Sequence, residues 1–156
     1  MQHLTPGYRA MTVRDLSTVM EIETIAYAHC WSEGNFRDCL SAGYEMEVVE
    51  NAQQIIGYGV MSVAADEAHL LNLCIHPHSQ RRGLGRQLLN HMMQIAEQKN
   101  ADTLFLEVRA SNERARLLYH LAGFNEIGFR PDYYPADSGR EDAIVFARSS
   151  GYRGSR

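Results

Sequence analysis

The sequence has no cysteine pattern. Cys30, Cys39 and Cys74 stand far apart, which excludes a disulfide framework or a paired-cysteine metal site and suits a reducing compartment. No apolar run is long enough to span a bilayer, and no stretch reads as a signal peptide. The expected location is cytoplasmic, with no membrane partner. There is no excess of positive charge either. The formal net charge is −4, so no direct nucleic-acid partner is expected, while a mildly acidic surface suits a basic peptide. Internal repeats and low-complexity tracts are missing. So are the Gly-x-x-x-x-Gly-Lys-Ser/Thr loop and the Gly-x-Gly-x-x-Gly run of other nucleotide binders. What is present is ordinary for one globular domain: 156 residues, 45% hydrophobic and 22% charged, enough for a sizeable core. That single domain is expected over residues 1–148, with a polar, disordered tail at 149–156.

One stretch organises the rest. Leu70 to Ile75 is an apolar run with the look of a buried strand, and Pro77 ends it. Gln80-Arg81-Arg82-Gly83-Leu84-Gly85 follows, and an amphipathic segment begins at once. Strand, glycine turn and helix start is a geometry that binds phosphate. The first N–H groups of a helix lack internal partners and sit at the positive end of its dipole. Gly83 and Gly85 let backbone approach an anion, and Arg81, Arg82 and Arg86 add full charges. The bland alternative is a surface loop ahead of a helix.

In chain order, Met1 to Gly7 reads as a loose start and Tyr8 to Met11 as a short strand. Thr12 with Asp15 resembles a capping box for a helix from Val13 to Ala28. Ser32 caps a second helix to about Leu40. Met46 to Glu50 and Ile55 to Ala64 form a hairpin. Leu84, Leu88, Met92, Ile95 and Ala96 make one stripe of a helix to Lys99. Leu104 to Val108 reads as a buried strand, parallel to Leu70–Ile75 because a helical crossover joins them. A helix from Glu113 to Leu121, then strands at Phe124–Tyr134 and Ala143–Ala147, complete the chain. His91 and His120 read as helix-surface residues, and His76 and His78 lack a third ligand, so no metal is expected.

The turn Gln80-Arg81-Arg82-Gly83-Leu84-Gly85 resembles the Gln/Arg-x-x-Gly-x-Gly/Ala signature of the GNAT superfamily of N-acetyltransferases. The element order is similar to that family over about residues 8 to 147. Within it, Leu106-Glu107-Val108-Arg109-Ala110-Ser111-Asn112, Leu118-Tyr119 and Ala122-Gly123-Phe124 resemble the ribosomal-protein alanine N-acetyltransferases. Trp31-Ser32-Glu33-x-x-Phe36 and Tyr133-Tyr134-Pro135 with Gly139-Arg140-Glu141-Asp142-Ala143 are similar too. Cys74 and His76 depart from the alanine and acidic residue expected there.

The resemblance implies an α/β (α+β) fold: a mixed central sheet of about seven strands, four helices and a splayed pair of parallel central strands. It implies acetyl-CoA as co-substrate, its thioester arm along Leu73-Cys74-Ile75, its pyrophosphate on Arg81, Arg82, Gly83, Leu84, Gly85 and Arg86, and a contact from Asn112. Tyr119, seven residues beyond Asn112, shares its helix face. The resemblance makes Glu107 the proton acceptor and Tyr119 the acid at the departing sulfur. It puts Trp31, Tyr133 and Tyr134 at the substrate N-terminus. On residues alone other readings stay open: Glu107 solvated or paired with arginine, Tyr119 as core, the tyrosine pair as hairpin packing. Cys74 in an apolar strand reads as a small hydrophobe, against a ping-pong acyl-cysteine.

Chemistry agrees with an N-terminal acceptor. An α-amine titrates near 8 and a lysine near 10.4, so neutralising them at pH 7 costs about 1 against roughly 4–5 kcal/mol. A buried Glu107 is expected to have its pKa raised toward a base's range. The expected reaction is acetyl transfer from acetyl-CoA, by direct attack, to the N-terminal alanine of small-subunit ribosomal protein eighteen. The partner is then a basic ribosomal N-terminal segment, and the enzyme a monomer. The alternatives are another protein N-terminus, a small-molecule amine, or an acyl-CoA-binding module without turnover.

Overall fold

A computed structural model describes residues 5–150. The elements are β1 (Gly7–Ala10), α1 (Leu16–Ala26), α2 (Glu33–Ser41), β2 (Glu45–Asn51), β3 (Gln54–Ala64), β4 (Glu67–Ile75), α3 (Leu84–Gln98), β5 (Thr103–Arg109), α4 (Glu113–Leu121), β6 (Asn125–Pro135) and β7 (Arg140–Ser149). Single 3-10 turns occupy Val13–Asp15 and Pro77–Ser79. The strands form one mixed sheet in the order β1-β2-β3-β4-β5-β7-β6. Among the described residues, seven strands and four helices make the α/β architecture expected.

The chain groups into two compact units. The first takes the described residues up to Ser62 together with Asn72–Met92, and the second Val63–Leu71 with those from Met93 on.

In the first unit, β1, β2 and β3 are antiparallel neighbours. The β2–β3 turn puts Ala52 and Gln53 at φ 51° and 67°, the two-residue geometry whose twist matches a hairpin. The helix expected over Val13 to Ala28 is shorter. Asp15 accepts hydrogen bonds from the Thr12 N–H at 2.8 Å and from Arg9 through both oxygens at 2.8 Å. The Arg9 guanidinium holds its carboxyl below the usual carboxylate range. So anchored, the first turn stays 3-10 and α1 begins at Leu16. At the other end Tyr27 is already extended, and its hydroxyl donates to the Leu73 carbonyl at 2.9 Å. Gly57 on β3 is required by close approach. A Cβ there would lie 2.6 Å from the Cys74 carbonyl oxygen and 2.7 Å from Ile75 Cδ1. Such distances are below any van der Waals contact, so any side chain at residue 57 would push β3 off β4.

In the second unit, β4 and β5 are parallel from Glu67↔Thr103 to Leu70↔Leu106. The ladder ends there, although β4 runs on to Ile75 and β5 to Arg109. β5 alternates, burying Leu104, Leu106 and Val108, and lies antiparallel to β7. Phe124, expected in a strand, precedes β6 and is buried. The β6–β7 register slips after Arg130↔Ala143 and resumes at Tyr134↔Glu141, so Pro131, Asp132 and Tyr133 stand opposite Asp142 alone. Asp132 takes φ 51° and donates its N–H to Asp142 Oδ1 at 3.0 Å, while Arg140 donates to the carbonyls of Asp132 and Tyr133. β7 continues to Ser149, past the expected end at Ala147. Of the tail expected as disordered at 149–156, Ser149 is thus strand, and residues 151–156 lie outside the described ones, as do residues 1–4 of the expected loose start. Among the described residues no helix is long and apolar enough to cross a membrane.

Candidate active site

The glycine turn is built in the first unit. Pro77–Ser79 make a 3-10 turn after β4, and the Gln80 side chain donates to the Ile75 carbonyl at 3.0 Å, pinning the turn to its strand. Arg81 and Gly83 both take positive φ, 66° and 79°. At Gly83 this favours glycine, and a Cβ placed there would meet nothing within 4 Å. The Gly83 carbonyl accepts the Gln87 N–H at 3.1 Å, so it caps α3. Leu84 is buried as the first helical residue, and Gly85 follows half-buried. Arg81, Arg82 and Arg86 are exposed, with no carboxylate partner among the described residues. Open backbone at a helix start with three uncommitted guanidinium groups is a donor set for a pyrophosphate.

Beside it, Leu73, Cys74 and Ile75 end β4. The Leu73 carbonyl takes the Tyr27 hydroxyl and the Ile75 carbonyl takes Gln80. Cys74 is buried, and burial pushes its thiol up to about 11. Little thiolate exists there at neutral pH, as a packing role requires. Sequence reasoning missed Glu23. This carboxyl, 1% exposed, accepts from the Tyr58 hydroxyl at 2.6 Å, the Asn72 side-chain amide at 3.0 Å and the Trp31 N–H at 2.9 Å. It ties α1 to β3, to β4 and to the loop ahead of α2. The available signal was an acid inside the apolar stripe of Val19 and Ile22. Trp31 is half-buried, its ring tilted against Phe36 at 5.1 Å.

The second unit carries the carboxylate site. Glu107 projects from β5 with its side chain 8% exposed. His69 pairs in register with Phe105, two residues before Glu107, so His69 and Glu107 are diagonal neighbours on one sheet face. The imidazole Nε2 is in hydrogen-bond contact with Glu107 Oε2, and Arg130 Nε lies 3.4 Å from Oε1. His69, and then Arg130, hold the carboxyl below its usual range against the opposing effect of burial. The raised pKa expected from burial alone is therefore corrected, because the strand register and the β6 bulge supply two cationic or hydrogen-bonding neighbours. Neither was visible in the sequence.

Tyr134 lies within electrostatic reach of Glu107. Burial, then that charge, pushes its phenol up to about 12. Arg109 sits over its ring at 4.7 Å, donating to the Pro135 carbonyl at 2.7 Å and to Glu141 at 3.0 Å. Tyr133, edge-on to Tyr134, is exposed and partly covered by Arg130. Tyr119 is buried against Phe124 and Phe146, and burial, then Tyr134, raises its phenol. Glu107, Tyr119 and Tyr134 thus belong to one electrostatic cluster. Asn112 stands apart in role. It is the N-cap of α4, its Oδ1 accepting the Ala115 N–H at 3.1 Å. His91 corrects another expectation. It is half-buried, bonded to Glu47 at 2.6 Å and stacked on Tyr8 at 4.1 Å, while His120 is exposed as expected. Among the described residues no three His, Cys, Asp or Glu are grouped to hold a metal ion.

The model of the Acetyltransferase (GNAT) family matches residues 16–124. The chain belongs to this family. It is an acetyl-CoA-dependent N-acetyltransferase, and the open glycine turn of the first unit is chemically suited to the pyrophosphate of such a co-substrate. The acetyltransferase is 40% identical over 139 residues to the ribosomal protein bS18-alanine N-acetyltransferase of Escherichia coli K12, covering 88% of this chain and 93% of that one. It is 41% identical over 135 residues to the protein of that name from Haemophilus influenzae, covering 85% and 91%. The crystal structure of the ribosomal-protein-S18-alanine N-acetyltransferase from Escherichia coli superimposes with a TM-score of 0.88 at 37% identity, over 96% of this chain and 98% of that one.

Proposed function

We propose that this acetyltransferase acetylates the N-terminal alanine of ribosomal protein bS18, in the cytoplasm. The observation that carries the reading is the 40% identity to the Escherichia coli enzyme of that name across 88% of this chain. The formal charge of −4 suits a basic ribosomal N-terminus. Acetyl-CoA supplies the activated acetyl group. The backbone N–H groups after Gly83, with Arg81, Arg82 and Arg86, bind its pyrophosphate. The ends of β4 at Leu73, Cys74 and Ile75 receive its arm, with Asn112 as a further contact. An N–H near Cys74 or Ile75 meets the developing oxyanion. Glu107, held ionised, serves as proton acceptor for an α-amine that costs only about 1 kcal/mol to neutralise. Tyr119 keeps its proton firmly and donates a hydrogen bond to the departing sulfur. Trp31, Tyr133 and Tyr134 hold the acceptor N-terminus.

A panel of peptides differing in the first residue tests the acceptor. Alanine-starting basic peptides are expected to turn over fastest, with intersecting initial-rate plots against the two substrates. Equal rates for all first residues, or preference for a polyamine, overturns the bS18 reading. Parallel plots with an acetyl adduct on Cys74 overturn direct attack.

The turn has its own test. Gly83→Asp puts a Cβ and a negative charge where Gly83 now leaves open space, and weaker acetyl-CoA binding by at least about tenfold, ~1.4 kcal/mol, is expected in calorimetry. Gly83→Ala reports the cost of positive φ alone. Wild-type affinity in folded Gly83→Asp removes the turn from the cofactor site.

A further inference from the structure

We propose that His69 completes Glu107 as a proton-accepting dyad, in which the imidazole takes the proton shed by the amine while Glu107 holds the ring and balances its charge. This rests on the acetyl-transfer reading and moves proton uptake one residue outward from Glu107. The sheet register sets the pair: His69 opposite Phe105, Glu107 two residues further on the same face. Nε2 of the ring contacts Oε2 of the carboxylate. An ionised carboxylate only accepts hydrogen bonds, so Nε2 donates, and in a neutral ring the lone pair then sits on Nδ1. Nδ1 makes no hydrogen bond among the described residues. Exposure separates the two members. The His69 side chain is 36% exposed and that of Glu107 8%. A proton collected on Glu107 would be held on a nearly closed side chain, whereas one collected on the imidazole sits on the more exposed of the two.

The surroundings favour this division. Arg130 of β6 occupies Oε1 at 3.4 Å, leaving both carboxylate oxygens engaged. Tyr134 of β6 also faces Glu107 electrostatically. On β7 the register partner of Glu107 is Val145, without charge. On β4 the one charged residue sharing the face of His69 within the β5 ladder is Glu67. The carboxyl is held below its ordinary range, with His69 the largest cause, so it stays ionised as the fixed anion of the dyad.

The step balances as follows. The amine nitrogen bonds to the thioester carbonyl carbon, and the carbon–sulfur bond breaks with its electron pair left on sulfur. One amine proton passes to His69 Nδ1, giving an imidazolium beside the Glu107 carboxylate. The sulfur, hydrogen-bonded by the Tyr119 hydroxyl, takes its proton from water, and the imidazolium returns its own to solvent. The division of labour is that of the carboxylate–histidine pair of serine hydrolases with the two ring nitrogens exchanged: the carboxylate fixes the tautomer and does not itself become protonated.

The test compares wild type, His69→Gln, His69→Ala and Glu107→Gln with an alanine-starting peptide. Glutamine keeps a donor to Glu107 and cannot take the proton. His69→Gln is expected to lose about tenfold or more in kcat at pH 7, with acetyl-CoA affinity unchanged. The loss shrinks toward pH 9 as the amine neutralises itself, and added imidazole partly restores His69→Ala. In the free wild-type enzyme, nitrogen NMR of the neutral ring is expected to report hydrogen on Nε2 and a bare Nδ1. Wild-type kcat in His69→Gln while Glu107→Gln is inactive overturns the dyad and leaves Glu107 as direct acceptor. A pH-independent loss, or hydrogen on Nδ1, overturns it as well. No turnover of the alanine-starting peptide by wild type removes the N-terminal-acceptor reading on which the dyad rests, and the dyad with it.

Discussion

Glu107→Gln is expected to lower kcat by roughly 10²–10⁴ at pH 7, the size of a lost acid–base contribution, with acetyl-CoA still bound. The substitution keeps shape and volume at a position 8% exposed, so the fold has little reason to change. Two things are lost together. The fixed negative charge that Arg130 and His69 now face disappears. The new amide can also turn its NH₂ toward His69, which reverses the hydrogen bond and drives the ring to the tautomer with no lone pair outward. The deficit should narrow with rising pH, since a larger fraction of the α-amine is then neutral without help. Single-turnover rates between pH 6 and 9, with acetyl-CoA saturating, measure this directly. Full activity of Glu107→Gln at pH 7 excludes the carboxylate from proton transfer.

The largest stability effect is expected at Glu23. Glu23→Ala removes the acceptor of three donors at once: the Tyr58 hydroxyl, the Asn72 amide and the Trp31 N–H. A buried donor left unpaired, as the Tyr58 hydroxyl would be, costs about 1–3 kcal/mol; the half-buried Asn72 and Trp31 donors and the emptied volume add to that. A loss of at least about 3 kcal/mol follows, or a fall in Tm of roughly 6–12 °C for a chain of this size. Glu23→Gln retains one acceptor oxygen and should lose less. Urea unfolding of the three proteins checks the order, and an unfolding midpoint for Glu23→Ala equal to wild type denies the network any role. Asn72 immediately precedes Leu73-Cys74-Ile75, so a folded Glu23 variant should also bind acetyl-CoA more weakly.

Much of the fold is written in local pattern. Leu84, Leu88, Met92 and Ala96 repeat at helical spacing, and all four are buried in α3. The β4–β5 parallel pair follows from a single crossover helix. Ser32 caps α2 as expected, accepting the Asn35 N–H, and Asn112 caps α4 by accepting the Ala115 N–H. What stayed hidden depends on partners distant in sequence. Tyr27 breaks α1 by reaching Leu73, and Gly57 answers to a carbonyl of another strand. Glu107 is the sharpest case. Burial is legible from the run Leu104–Val108 and argues for a raised pKa. The direction is reversed by His69 and Arg130, brought in by a strand register and a bulge that no short-range pattern encodes.

The slipped register of β6 also bears on how the protein behaves at high concentration. β6 is an eleven-residue outer strand exposing Ile127, Phe129 and Tyr133. An apolar outer strand of that length is a template on which another chain can add itself and seed aggregates. Here the template is interrupted. Pro131 has no N–H to offer, Asp132 has turned its own toward Asp142, and Arg140 has taken the carbonyls of Asp132 and Tyr133. Before Arg130 the strand is broken again, because the register also shifts between Glu126 and Gly128, so an incoming strand meets only short regular stretches. The irregularity that carries Arg130 and the tyrosine pair toward Glu107 therefore doubles as a gatekeeper against edge-to-edge polymerisation.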